Sequence, residues 1–149
     1  MTTNESIGVL KENILILQDA LYWLNRSYNF CSKIDIESNL SEEDFDKMET
    51  LSGRFARVSD IIQQKIFRSI DQVELEDKGT LLDSIKRAHK KGLVESVEEI
   101  REIRDIRNQI VHEYVKDDLQ EIFKDILDFT PQLLDICHKT ISYCDKYQL

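Results

Sequence analysis

Ile7, Leu10, Ile14, Leu17, Leu21, Leu24, Tyr28 and Cys31 follow one another at alternating steps of three and four. Only an α-helix gathers such positions onto one face, because its 3.6-residue turn makes i, i+3, i+4 and i+7 neighbours. The stripe predicts a first helix over about Glu5–Cys31, able to line a bundle core or a dimer seam. Leu15, Ile16 and Trp23 stand beside it and predict burial on more than one side. The same period returns in Phe45, Met48, Leu51, Phe55, Val58, Ile62, Ile66 and Ile70, then in Leu81, Leu82, Ile85 and Ala88. It returns again from Leu119 through Ile122, Phe123, Ile126, Leu127, Leu133, Leu134, Cys137 and Ile141 to Cys144. With only four Gly and one Pro in 149 residues, little interrupts these helices. The expectation is an all-α, four- to five-helix, largely up-and-down bundle forming a single domain over residues 1–149.

Capping residues place the boundaries. Ser41 with Asp44, Thr80, and Ser96 with Glu99 read as helix starts in which a hydroxyl caps a backbone N–H. Gly92 reads as a stop, and Glu74 to Gly79 as a polar connection. Lys116-Asp117-Asp118 reads as a polar break before the last helix. Thr130-Pro131 predicts a kink there, or a fresh start with Thr130 as N-cap. Gly53, inside the second helix, fits a close helix crossing.

A net charge of −9 at pH 7 favours solubility and disfavours broad, non-specific nucleic-acid binding, though not a local basic cleft. Three cysteines without CxxC spacing fit reduced thiols, and no apolar run approaches the ~20 residues of a membrane span. Met1 to Glu5 lacks the basic and apolar regions of a signal peptide. The expected location is the cytoplasm. One dense basic cluster, Lys86, Arg87, His89, Lys90 and Lys91, ends the third helix, where it complements the helix dipole and offers a landing place for a nucleic-acid backbone.

The helix that begins at Ser96 and runs to about Val115 holds the chemistry. On a helical wheel Ile100, Ile103, Ile110, Val111 and Tyr114 fall in one arc, with Arg107 near its middle and Asn108 and His112 together on its flank. A guanidinium on a buried face costs several kcal/mol to desolvate. It must be neutralised by a carboxylate, held at a subunit seam, or aimed into a cleft that receives an anion. Arg107 through Tyr114 fits R-x4-H-x-Y with Asn after the Arg. This resembles the signature of the HEPN superfamily, in particular HepT-like toxins paired with minimal nucleotidyltransferases.

The resemblance implies a helical, homodimeric, metal-independent endoribonuclease of a type VII-like toxin–antitoxin pair, with no cofactor. Arg107 and His112 would be catalytic at the dimer cleft, Asn108 would support them, and Tyr114 would be the residue a cognate nucleotidyltransferase antitoxin blocks by adenylylation. The substrate would be RNA, tRNA or mRNA among the candidates, with backbone contacts sought at Arg104, Lys86, Arg87, Lys90 and Lys91. Read from the residues alone, Tyr114 also fits a core aromatic, and Arg54 and Arg57 fit solvated arginines or, for one of them, a phosphate holder.

Two rivals are carried beside this. One is a non-catalytic substrate-binding or partner subunit of a nucleotidyltransferase, in which Arg107 and His112 recognise a phosphate. The other is a metal site at Cys137, His138 and Cys144, whose spacing is not that of a four-ligand set. No Gly-rich phosphate loop, Ser-His-Asp arrangement or HExxH appears in the sequence.

Overall fold

The protein is described by a computed structural model that covers residues 2–112 and 116–149, with residues 116–118 as backbone only. Its helices are α1 (Thr3–Cys31), α2 (Glu42–Asp60), a π-helical turn (Ile61–Ile66), α3 (Phe67–Val73), α4 (Leu81–Lys90), α5 (Val97–His112) and α6 (Lys116–Cys144), followed by a 3-10 turn at Asp145–Tyr147. No strand occurs among the described residues. The fold is the all-helical bundle that the apolar periodicity predicts.

α2, the π turn and α3 form one continuous rod, and every other long helix packs on it. Cross-contacts fix the directions. Asn13 reaches Ser69, Arg54 reaches Trp23 and Ser27, and the Cys31 thiol reaches the Lys47 carbonyl, so α1 runs antiparallel to the rod. The rings of Phe45 and Phe123 meet edge to face at 5.5 Å, and Tyr143 donates to Glu74, so α6 runs parallel to it. Lys139 on α6 pairs with Glu95, just before α5, so α5 runs back the other way. The result is a four-rod up-and-down bundle, with α4 bridging α3, the π turn and α5.

The core follows the stripes. Leu10, Leu17, Leu24, Met48, Leu51, Phe55, Val58, Ile62, Ile66, Ile100, Ile103, Ile126 and Leu133 are fully buried. Burying each such side chain contributes about 1.5–3 kcal/mol against chain entropy. Four positions expected to be buried face outward instead. Leu82 is 40% exposed, and Leu15, Ile16 and Trp23 stay on the outer face of α1, which is therefore buried on one side only.

The cap at Thr80 forms as the sequence predicts: its hydroxyl accepts from the Asp83 N–H, and its own N–H donates in return to the Asp83 carboxylate. Ser41 accepts from Asp44, and Ser96 accepts from Glu99, whose carboxylate reaches back to the N–H of Glu95, one residue beyond the expected box. The stop at Gly92 has φ +78°. Two expectations are corrected. Residues 116–118 are the first turn of α6 and not a break, and α6 runs through Pro131. Thr130 is no N-cap: its hydroxyl is buried and donates to the Ile126 carbonyl at 2.6 Å, within a helix already under way.

Candidate active site

α5 is positioned by Ile100, Ile103 and Ile106, which are buried against the bundle, with Ile110 half-buried beyond them. The centre of its apolar face therefore lies nearer Ile106 than the predicted arc, and Arg107 sits at the border of that face, its side chain 30% exposed. Of the three fates open to this arginine, the structure selects a carboxylate. Arg107 Nε donates to Asp60 Oδ1 at 2.9 Å and Nη2 to Asp60 Oδ2 at 3.0 Å, two parallel bonds of a planar fork. These bonds, and then the charge of Asp60, hold the guanidinium pKa above its ordinary value. Nη1 is left toward Asn108, whose Oδ1 lies 3.5 Å away.

Asp60 is the last residue of α2, directly before the π turn. Nothing in the sequence points to it. It lies 47 residues from Arg107 and carries no motif.

Asn108 and His112 are both exposed and one helical turn apart, and His112 is the last residue of α5. Val111 beside them is 39% exposed, and Arg104 points to solvent one turn earlier. The end of α5 thus presents an Arg–Asn–His edge with an apolar residue next to it. Tyr114, the expected modification site, lies outside the described residues.

The basic cluster on α4 divides. Arg87 donates to Asp71 at 3.1 Å and to the Lys78 carbonyl. Lys91 reaches Asp71 at 3.5 Å, Glu74 at 3.1 Å and Glu76 at 3.4 Å. Asp71, only 2% exposed, also accepts from Ser84 at 2.6 Å. Arg87 and Lys91 are therefore engaged in tying α4 to α3. Lys86, His89 and Lys90 face solvent. Burial alone would raise the Glu74 pKa and lower that of Lys91. Bonds from Tyr143, Tyr147 and Lys91 reverse the first, and the carboxylate of Glu74 reverses the second.

Arg54 is likewise a clamp. It donates to Ser27 Oγ at 2.6 Å and the Trp23 carbonyl at 3.3 Å, while Arg57 is exposed beside it. Cys137 and Cys144 are buried, with burial pushing the Cys144 thiol up to about 12, and His138 between them faces outward. Among the described residues no group of three or more His, Cys, Asp or Glu converges on a common point. No helix among them is long and apolar enough to cross a membrane.

No curated protein matches the chain. The family described as Ribonuclease HepT-like matches residues 11–140, which takes in most of α1 and α6, all the helices between them and the whole Arg–Asn–His edge. The chain belongs to the HepT-like ribonuclease family.

Proposed function

We propose that the protein is a metal-independent endoribonuclease toxin, silenced by a partner nucleotidyltransferase that adenylylates Tyr114. The observation that carries the reading is the end of α5, where a guanidinium held rigidly by Asp60 stands beside an exposed amide and imidazole. Cleavage of RNA without a metal requires that the 2′-oxygen lose its proton and attack phosphorus while the 5′-oxygen leaves and takes a proton. His112 is the base for the first transfer, its exposed imidazole offering a ring nitrogen to the 2′-hydroxyl proton. Arg107 stabilises the charge that builds on the non-bridging oxygens, its orientation fixed in advance by the fork to Asp60. Asn108 orients either the imidazole or the phosphate.

One imidazole cannot serve as base and acid in the same step. Two copies joined across the ends of their α5 helices bring a second His112 to the leaving oxygen, and the exposed Val111 gives such a seam an apolar contact. An adenylyl group on Tyr114, two residues beyond His112 in sequence, would add a bulky anion that repels an RNA backbone. The cancellation of the Arg107 charge by Asp60 favours one second reading, a phosphate-recognising partner subunit of a nucleotidyltransferase without nuclease activity.

The deciding experiment is cleavage of total RNA by the purified protein in excess chelator, beside His112→Ala, with intact mass measured on both. Cleavage by the wild type that disappears in the variant supports the nuclease. Equal activity in both removes His112 from the mechanism. No cleavage by wild-type protein of unmodified mass decides for the partner subunit.

A further inference from the structure

On the outer side of the α1–α2 seam, aromatic and cationic side chains alternate. The Arg54 guanidinium lies 5.0 Å from the Trp23 ring centroid, Arg26 lies 5.7 Å and Lys47 5.1 Å from that of Phe30, and the Tyr22 and Trp23 rings meet at 5.1 Å. Tyr22 is 61% exposed, Phe30 51% and Trp23 42%. Two shallow hollows open along this line. One of about 370 Å³ is lined by Tyr22, Asn25, Arg26, Asn29, Phe30 and Lys33. The other, of about 260 Å³, is lined by Ala20, Trp23, Arg54 and Arg57. Together they hold four cations and no carboxylate, in a chain whose net charge is −9.

We infer that this strip is a track for single-stranded RNA leading to the Arg107 site, an inference that rests on the ribonuclease reading. The chemistry of the strip matches the ligand. Exposed rings offer stacking faces that accept any base, cations at intervals meet the backbone phosphates, and the amides of Asn25 and Asn29 offer donors and acceptors to base edges. From Ala20 to Lys33 the track is about 20 Å long at 1.5 Å per residue, enough for several nucleotides. It is also continuous with the site, since Arg57 stands three residues before Asp60 on α2. Elsewhere Arg107 is committed to Asp60 and Arg87 and Lys91 to Asp71, while Lys86, Lys90 and Arg104 face solvent without an exposed Phe, Tyr or Trp ring among them. A second copy of the chain fits the strip less well. A two-fold contact centred here would set four cations against the same four.

The sole tryptophan, Trp23, makes the test direct. A nuclease-resistant 2′-O-methyl 12-mer is titrated into wild type, His112→Ala, a Tyr22→Ala/Phe30→Ala double variant and an Arg26→Gln/Lys33→Gln double variant, with thermal midpoints taken on all four. Saturable quenching of Trp23 is expected in the wild type and in His112→Ala. The aromatic double variant should bind about tenfold or more weakly, and the cation variant should lose about 1.4 from the slope of log affinity against log salt. Unquenched Trp23 with wild-type affinity in both double variants overturns the track, and leaves the nuclease standing if chelator-resistant cleavage persists. Quenching without any cleavage keeps the track and removes the nuclease. Double variants that become monomeric by sedimentation while RNA affinity is unchanged would mark the strip as a subunit seam, and the inference falls.

Discussion

Asp71 is the residue whose removal should hurt the fold most. It is 2% exposed, and three donors from α4 and its C-terminal cap converge on it: Ser84 at 2.6 Å, Arg87 at 3.1 Å and Lys91 at 3.5 Å. Asp71→Ala would leave the Ser84 hydroxyl buried without an acceptor and two part-buried cations with one carboxylate fewer. Breaking a buried ion pair by deleting one partner costs about 3–5 kcal/mol. The low end applies, because Lys91 keeps Glu74 and Glu76 and Arg87 keeps the Lys78 carbonyl. For a domain of this size 1 kcal/mol moves the thermal midpoint by about 3 °C, so the midpoint should fall by about 9 °C. Ser84→Ala, which deletes one bond and leaves the ions paired, should cost about 1 kcal/mol and about 3 °C. Thermal denaturation followed by far-UV circular dichroism at pH 7 reads both. A fall below about 3 °C for Asp71→Ala, or a Ser84→Ala effect as large as it, would refute the convergence as a source of stability.

Asp60→Asn should lower chelator-resistant RNA cleavage by roughly ten- to a hundredfold through lost orientation of Arg107, with the midpoint moved by less than about 3 °C, because the pair is partly exposed. Unchanged cleavage would show that the fork does not serve the reaction. Gly79→Ala should cost about 1–2 kcal/mol by thermal denaturation, since φ is +98° and a new Cβ would fall 2.3 Å from Asp83 Oδ2, the carboxylate that completes the α4 cap. A neutral effect would contradict the left-handed turn. Glu74 has a depressed folded pKa, so its contribution is fully present above its unfolded value near 4.5 and is lost as pH falls through the lower folded value. Glu74→Gln should thus be less stable than wild type at pH 7 by about 2 kcal/mol and should lose less between pH 5 and pH 3. Parallel acid limbs in the two proteins would count against the linkage.

Most of the fold was legible because it is local. Apolar steps of three and four, three hydroxyl caps and Gly92 are each satisfied within a turn or two of chain. The fresh start expected at Thr130 is absent because a proline can be carried inside a helix when tertiary packing holds both sides, and here Thr130 and Leu133 are fully buried around it. The candidate site was legible by half. The Arg107–Asn108–His112 pattern stands in the sequence, but the wheel drawn without Ile106 put Arg107 at the centre of the buried face, and its true place is roughly 45° to one side. The partners that decide what each cation does, Asp60 for Arg107 and Asp71 for Arg87 and Lys91, are tertiary neighbours that no spacing announces.

The π turn at Ile61–Ile66 sets the phase of the rod. In an unbroken α-helix Asp60 and Asp71, eleven positions apart, would point within about 20° of each other. A π turn takes in roughly one surplus residue and holds back everything after it by about 100°. One carboxylate can then address α5 while the other addresses α4. Val58, Ile62, Ile66 and Ile70 record the same lag, since successive steps of four drift by about 40° on an α-helix and a wider turn absorbs the drift. What this segment sets is therefore the phase of α3, which the π turn reaches with one residue more than a plain α-helix needs. Deleting a single residue between 61 and 66 would let the rod run as plain α-helix, and ten steps of about 100° bring Asp71 to the same phase, still facing Ser84, Arg87 and Lys91, with the Arg107 fork in place.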